Sequence, residues 1–372
     1  MSTINIDKHK FLVLFSYIGT KYSGIQRQTA RVLKEGKSSS DNTVQFYIEQ
    51  SLETINPKPS QDVKFSVSSR TDRGVHAFEN SAQLEISHPN PMETYCPSHL
   101  IETANDYFKS QNHDIKLNKI HLISPEFHFR KHIKWRSYYY RLAVVKPEIS
   151  TQSSFQPESY IPINELNRCS LVRVPLNLDL DIMSEAVDYF QGTHNFSGFA
   201  AFSRSLNFYS DDYFTRTIDS ITFNQIDCEP LEKMDPAYRN INLYEFNITS
   251  KGFLYRQIRR MVGAIIMVGS GQFSIDRFKS LLDNPQETKW TTHFYTAPPE
   301  GLYLSQIKYD PKDFLNPPDW RLSDSKDERP SKPLITTGQF NYDAEDDNDI
   351  EDENIINQID YNDDGDNQFK CF

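Results

Sequence analysis

The residue in this sequence best suited to catalysis is Asp72, within the segment Arg70-Thr71-Asp72-Arg73-Gly74-Val75-His76-Ala77. Neighbouring guanidinium groups favour the ionised carboxylate, which can then act as a nucleophile or as a base. Gly74 allows a backbone conformation that would bring the loop close to a substrate. An exposed turn with solvated charges explains the same residues, and the local sequence leaves both interpretations open.

A second segment, residues 127–146, combines positive charge with aromatic rings and contains no acidic residue. Cations neutralise phosphates and aromatic faces stack on unpaired bases, so this mixture suits RNA better than DNA. The alternative is a strand whose tyrosines pack in the core and whose arginines face water. The basic and aromatic residues are Arg130, Lys131, Lys134, Arg136, Arg141, Lys146, Phe127, Phe129, Trp135, Tyr138, Tyr139 and Tyr140.

A third segment has helical spacing from Phe253 to Val268, with Arg256, Arg259 and Arg260 near one stripe. Apolar residues cover much of the remaining surface, which is typical of a buried helix. An arginine embedded there requires a carboxylate or a phosphate as its partner. We therefore expect Arg259 to be buried and one of its neighbours to lie at the surface. An amphipathic surface helix with a basic face is the alternative.

The elements around these segments mix strands and helices without a regular alternation, which predicts an α+β fold. Apolar or alternating runs predict strands at 11–17, 63–68, 82–86, 115–123, 136–145 and 244–248. Helical spacing predicts three further helices, one from Val44 that ends before Pro57, one from Pro97 to about Phe108, and one from about Asp181 to Phe190. Residues 29–42 and 146–160 are predicted loops.

The composition of the chain argues against several classes of protein. The chain has 372 residues, enough for two domains or one composite domain. No run approaches the roughly 18 apolar residues that a membrane span needs. The four cysteines are far apart and no cluster has metal-ligand spacing, which argues against a disulfide framework or a zinc site. A reducing intracellular compartment fits best, and the first ten residues resemble no secretory signal or mitochondrial presequence.

The net charge of −11 comes entirely from the end of the chain. Residues 338–372 contain 12 acidic residues and one lysine, whereas residues 1–337 contain 39 acidic and 39 basic residues. The body is therefore neutral, which still permits RNA binding if its cations gather on one face. Beyond Pro311 the hydrophobic pattern fades, and residues 311–372 are predicted to form an Asp/Asn-rich, disordered tail.

Residues 70–77 resemble the active-site motif of the TruA family of tRNA pseudouridine synthases. Further motifs follow in the family's order, and the match spans about residues 11–309. Ile18, Ile25 and Asn195 depart from the common pattern, as does an insertion at 29–42, and these changes resemble the eukaryotic tRNA pseudouridine synthase-like 1 branch. The matching segments are Gly19-Thr20-Lys21-Tyr22-Ser23-Gly24, Phe127-His128-Phe129-Arg130, Arg136-Ser137-Tyr138-Tyr139-Tyr140, Gly192-Thr193-His194-Asn195-Phe196, Phe253-Leu254-Tyr255-Arg256-Gln257-Ile258-Arg259-Arg260-Met261-Val262-Gly263 and Ala297-Pro298-Pro299-Glu300-Gly301-Leu302.

The resemblance implies two similar α+β halves, at 11–125 and 126–310, that follow a short extension at 1–10. Their mixed, largely antiparallel sheets would join, with helices at the flanks and an RNA-binding cleft between the halves. It also implies a homodimer that acts on tRNA, without a metal or an organic cofactor. No membrane or DNA partner is expected.

The same resemblance assigns roles to individual residues. Asp72 would be the catalytic carboxylate that turns uridine into pseudouridine, and Arg259 the arginine that pairs with it. Tyr138 would stack on the target base, Arg70 would assist base flipping, and Leu302 would form an apolar wall of the pocket. Four basic residues from the motifs are predicted to bind RNA, namely Arg130, Lys131, Arg136 and Arg256.

Two other functions remain as alternatives. A catalytically inactive RNA-binding protein on the same scaffold is one, although intact Asp72, Tyr138 and Arg259 argue against it. A carboxylate-dependent glycosidase is the other, but no second catalytic carboxylate can be identified. For localisation, the N-terminus favours the cytoplasm, while the family branch suggests mitochondria as the alternative.

Overall fold

The computed structural model describes residues 9–27, 42–150, 157–172, 178–201, 211–285, 290–291 and 294–318. The predicted loop at 29–42, apart from Asn42, lies outside these residues, as do the first eight residues. Of the tail predicted at 311–372, residues 319–372 also lie outside them, whereas residues 311–318 are described and include a helical turn at Pro311–Asp313. No helix in the described ranges is long and apolar enough to cross a membrane.

Ten strands form one mixed sheet in the described part of the chain. In chain order they are β1 His9–Tyr17, β2 Lys64–Val67, β3 His76–Ile86, β4 Ile115–Ile123, β5 Trp135–Val145, β6 Ser170–Val172, β7 Gly192–Asn195, β8 Thr215–Ile226, β9 Ile241–Ser250 and β10 Leu302–Lys308. The strand order is β4-β1-β3-β10-β5-β9-β8-β7, with β2 also beside β3 and β6 beside β5. The β3–β10 and β5–β6 pairs are parallel and the others are antiparallel.

Five helices of more than two turns flank the sheet in the described ranges. They are α1 Val44–Glu53, α2 Pro97–Ser110, α3 Leu180–Tyr189, α4 Gln257–Gly269 and α5 Ile275–Asp283. Helix α1 packs against α2, which contacts β4, whereas α3 contacts α4, α5 and β8. Helices α1, α3 and α5 are capped at their N-termini by Thr43, Asp179 and Ser274, whose side-chain oxygens accept backbone N–H groups of the first turn.

The core follows from alternation along the central strands. In β5, Tyr138, Tyr140, Leu142 and Val144 alternate along the strand and are all buried, as in the alternative that packs the tyrosines in the core. Helix α4 is buried on most sides, since every residue from Met261 to Gly269 is buried. One large apolar cluster includes these strand and helix residues. The α+β class is confirmed.

Two element boundaries were predicted wrongly. Strand β3 begins at His76, not near Ala82, because polar residues before Ala82 pair with β1 and β10 as well. The helix predicted from Phe253 begins at Gln257, because Arg256 has φ of 56°, a left-handed conformation that cannot continue an α-helix. The predicted loop at 146–160 also contains short helical turns at Pro147–Ser150 and Pro157–Tyr160.

Candidate active site

Asp72 and Arg259 meet although they are 187 residues apart in the chain. Arg259 Nη1 donates a hydrogen bond of 2.8 Å to Asp72 Oδ2, and the two side chains are only 13% and 17% exposed, respectively. The guanidinium is oriented from behind, because its Nε donates to the Ala297 carbonyl at 2.8 Å. The Ala297 N–H donates in return to the Arg259 carbonyl at 3.0 Å. Arg259 thus has the carboxylate partner that a buried arginine requires.

The loop that carries Asp72 is a well-anchored turn between β2 and β3. The hydroxyl groups of Thr71 and Tyr17 share a hydrogen bond of 2.7 Å. The Thr71 carbonyl accepts from the Ile25 N–H at 3.3 Å, and the Asp72 carbonyl accepts from the Val75 N–H at 3.2 Å. These contacts fix the backbone on both sides of the carboxylate, and the Asp72 side chain itself is only 17% exposed, so the interpretation as a solvated charge is wrong for Asp72.

Arg130 and Arg136 contact the strand end that leads into this loop. Arg130 Nε and Nη2 both donate to the Val67 carbonyl, at 3.2 and 3.0 Å. Arg136 is buried, and its Nε donates to Ser69 Oγ at 2.7 Å while its Nη1 donates to the Lys251 carbonyl. The expectation that strand arginines face water is therefore wrong for Arg136, because its place in β5 puts it on the same buried face as the core tyrosines.

Tyr138 is almost fully buried and lies close enough to Asp72 for the two side chains to interact electrostatically. Burial raises the pKa of its hydroxyl to about 12, and the negative charge of Asp72 adds to the increase while Arg136 opposes it. Phe253 meets the ring edge-on, with ring centroids 5.1 Å apart and an interplanar angle of 83°. The phenol is thus held in a fixed orientation on the core side of β5 and remains neutral at physiological pH.

Leu302 is buried at the start of β10, where it pairs with Tyr140. The preceding Gly301 is required by packing, because a Cβ there would lie 2.7 Å from the Tyr140 ring. The same turn reaches the Asp72 loop, since a Cβ on Gly74 would lie 3.2 Å from Pro299 Cγ. The 299–302 turn therefore packs between β5 and the loop.

The remaining predicted residues lie further out. Arg70 and Lys131 are exposed, and Arg256 is half-buried with its guanidinium 4.9 Å from the centroid of the Tyr255 ring. The structure thus brings Asp72, Tyr138 and Arg259 together. The assignment of RNA contacts to Arg70, Lys131 and Arg256 stays a prediction.

Sequence reasoning gave no role to His76, which has no exposed surface. The Gly19 N–H donates to its Nδ1 at 2.9 Å, so Nε2 must carry the proton and donates to the Glu300 carbonyl at 3.1 Å. Burial lowers the pKa of this imidazole to about 4. The position of His76 within the octapeptide was the only sequence signal, because both partners are distant in the chain.

Over the described ranges, no three His, Cys, Asp or Glu side chains are grouped as metal ligands. The arrangement instead offers one carboxylate paired with a cation, near the aromatic ring of Tyr138. Such a site can hold a flat polar ring against the tyrosine and place it near the carboxylate.

Comparison with known proteins places this site in a family. Residues 186–310 match the family model described as tRNA pseudouridine synthase. The tRNA pseudouridine synthase-like 1 of Xenopus laevis is 33% identical over 307 residues, which cover 82% of this chain and 92% of the relative. The corresponding human protein is 28% identical over 302 residues, covering 81% and 90%. The tRNA pseudouridine synthase A of Streptococcus mutans is 27% identical over 301 residues, covering 81% and 99%.

These matches extend over most of the chain and over nearly the whole length of each relative. The α+β fold is consistent with them. The chain belongs to the TruA family of tRNA pseudouridine synthases, and within it is similar to the eukaryotic tRNA pseudouridine synthase-like 1 proteins.

Proposed function

We propose that this protein isomerises specific uridines in tRNA to pseudouridine, with Asp72 as the catalytic carboxylate. The observation that carries the proposal is the pairing of Asp72 with Arg259 at 2.8 Å, beside the buried ring of Tyr138. A carboxylate paired with a partly buried cation can attack C1′ of the ribose, attack the base or remove a proton.

The chemistry is an internal rearrangement of one nucleotide. The bond between N1 of uracil and C1′ of ribose breaks, the base turns, and C5 bonds to C1′ instead. The hydrogen on C5 leaves as a proton and N1 takes one up, so atoms and electrons balance without an oxidant, a reductant or an organic cofactor. The protein must therefore supply a carboxylate, a proton path and a pocket in which the base can rotate.

Three further residues would handle the base. A uridine within a stem must leave its stack, which costs a few kcal/mol. Tyr138 would hold the extruded ring by stacking, Leu302 would form the apolar wall, and Arg70 would assist extrusion from the exposed side of the Asp72 loop. The fixed orientation of Tyr138 against Phe253 supports this role, because a preset ring loses little entropy on binding.

The RNA would bind in a cleft between two halves, residues 11–125 and 126–310, as part of a homodimer. Asp72 comes from the first of these ranges while Tyr138 and Arg259 come from the second, which supports a site at their junction. We propose that Lys131 and Arg256 contact phosphates. Arg130 and Arg136, also predicted to bind RNA, would act mainly by holding the strand that leads to Asp72.

The test is a single-turnover assay with unmodified tRNA transcripts, in which pseudouridine is mapped by chemical labelling. Wild-type protein should convert defined uridines, whereas Asp72→Asn should form no product while binding the same tRNA with a similar Kd. Binding by wild type without product from any tRNA would refute the proposal and favour the inactive RNA-binding alternative. Turnover by Asp72→Asn near the wild-type rate would refute the role of the carboxylate alone.

A further inference from the structure

The ten-stranded sheet is continuous through one narrow joint. Strand β3 pairs with β10 through two residue pairs, His76 with Tyr303 and Ala77 with Leu304. Within the described ranges, no other strand pairing connects the strands before residue 124 with those after residue 134. The Asp72–Arg259 ion pair crosses the same joint. The geometry of this joint therefore sets the position of the carboxylate relative to its cation.

The side chain of His76 fills this joint. Its imidazole accepts a hydrogen bond from the Gly19 N–H at 2.9 Å and donates one to the Glu300 carbonyl at 3.1 Å. The two bonds link the Gly19 turn to the Glu300 turn, and no strand pairing of the sheet joins these two turns directly. The ring also stacks on Tyr303, with centroids 4.5 Å apart and an interplanar angle of 30°. Tyr303 is held in turn, because its hydroxyl donates to the Arg168 carbonyl at 2.6 Å.

Both hydrogen-bond partners of His76 belong to segments that contact the proposed site. The Gly19 turn lies directly against the Asp72 loop, since a Cβ on Gly19 would be 2.0 Å from the Val75 carbonyl oxygen. Glu300 lies in the turn that leads into Leu302 and β10. A shift of either segment relative to the other would move the carboxylate relative to the apolar wall of the pocket.

We infer that His76 is a positioning residue for the isomerisation, and that its two hydrogen bonds hold the Asp72 loop in register with Leu302 and Arg259. This inference rests on the proposed function, because it concerns the alignment of that carboxylate and that pocket. Catalytic groups need placement within about 0.5 Å, and a misplacement of about 1 Å can cost about 100-fold in rate. A neutral imidazole suits the task because it offers one acceptor and one donor on opposite sides of a rigid ring.

Three substitutions of His76 distinguish the contribution of its hydrogen bonds from that of its ring stacking. His76→Phe keeps the ring and its stacking on Tyr303 but removes both bonds. His76→Gln carries an acceptor and a donor that can reach Gly19 and Glu300. His76→Asn carries the same groups on a shorter stem, which can reach Gly19 but not Glu300.

We expect single-turnover rates at saturating protein to fall in the order wild type, Gln, Asn, Phe. The phenylalanine variant should be slower by about 10- to 100-fold, and the glutamine variant should recover to within about threefold of wild type. The Kd for tRNA should change by less than about threefold in all three variants, because His76 contacts no substrate. General destabilisation of the protein would not lower the rate while leaving the Kd for tRNA unchanged.

His132→Phe is the matched control. His132 is also buried, accepts from the His128 N–H at 3.0 Å, donates to the Pro318 carbonyl at 3.0 Å and stacks on Phe127. Because neither of its hydrogen bonds reaches Gly19, Glu300 or a residue of the β3–β10 pairing, its substitution should lower the thermal midpoint without slowing single-turnover conversion.

The outcomes are distinct. If wild type forms no pseudouridine, the proposed function fails and this inference with it. If wild type is active and His76→Phe is equally fast, only the inference fails. Equal slowing by His76→Phe and His132→Phe would also overturn it, as would a glutamine variant no faster than the asparagine variant. If His76→Phe does not fold, the rates of His76→Gln and His76→Asn still test the inference, which requires the glutamine variant to be faster.

Discussion

Replacing Arg259 by glutamine would remove the cation that faces Asp72 and leave a carboxylate with little access to water. Removing one partner of a buried ion pair costs about 3–5 kcal/mol of folding free energy. Because 17% of the Asp72 side chain remains exposed, water can partly solvate the orphaned charge. We therefore expect the lower end of the range, a loss of about 3 kcal/mol.

The reciprocal change, Asp72→Asn, should cost less. It leaves Arg259 with its hydrogen bond to the Ala297 carbonyl, and asparagine can still accept a hydrogen bond from the guanidinium. We expect a loss of about 1–3 kcal/mol, the range for a weakened hydrogen bond to a charged group. In the double variant neither unpaired charge remains, so the two losses should not add. The coupling free energy should lie between about 0.5 and 3 kcal/mol.

Urea unfolding of the four proteins, followed by circular dichroism and by tryptophan fluorescence, measures this cycle without reference to activity. Coincident transitions from the two probes and equal m values are the conditions for comparing the free energies. If the two single losses add to within about 0.3–0.5 kcal/mol, the contact makes no net contribution and the electrostatic reasoning is refuted.

Three other results are expected. Tyr138→Phe should retain most of the turnover, whereas Tyr138→Ala should bind or react at least several-fold worse, because stacking contributes about 1–3 kcal/mol per base; equal activity of Tyr138→Ala and wild type would contradict stacking. Since burial lowers the pKa of His76 to about 4, wild type should lose stability as the pH falls from about 6.5 toward 4, and His76→Gln should lose less over that window; equal losses would refute the burial of a neutral imidazole. Deleting residues 338–372 should leave the single-turnover rate intact, and loss of activity would contradict the dispensability of this segment. If the segment competes for the proposed RNA-binding cleft, its deletion should also tighten binding to unrelated RNA at low salt.

Local patterns were sufficient where burial on one face repeats along the chain. The alternation in β5 agrees with the alternative in which its tyrosines pack in the core, and the apolar surroundings of Arg259 indicated that it needs a carboxylate or a phosphate as its partner. Strand β8 could not be found in this way, because most of its residues are exposed and its buried side chains are few. Strand β10 depends on partners near residues 76 and 138, and no local pattern reveals such a pairing.

The start of α4 and the role of His76 show two other limits of the sequence. The helical spacing continues through Phe253, yet the left-handed backbone of Arg256 delays the first turn to Gln257. Gln257 stabilises this entry, since its Oε1 accepts from the Leu254 N–H at 2.8 Å. His76 is surrounded by residues far away in the chain, so its function as a link between segments follows only from the packed structure.

The cations of residues 127–146 do not all contribute to a positively charged surface. Residues 127–146 contain six cations, and composition alone suggested a site for phosphates. In the structure Lys134 pairs with Asp313 at 3.3 Å and Arg141 with Glu165 at 2.7 Å, while Arg130 and Arg136 donate to the strand end before Asp72. RNA affinity falls as salt concentration rises, and a plot of log K against log salt concentration has a slope that depends on the number of phosphate contacts. Each contact that is absent makes this slope shallower by about 0.7 to 0.9. The segment should therefore contribute less to RNA attraction than its composition suggests, because four of its six cations either pair with acidic side chains or hold the strand end that leads to Asp72.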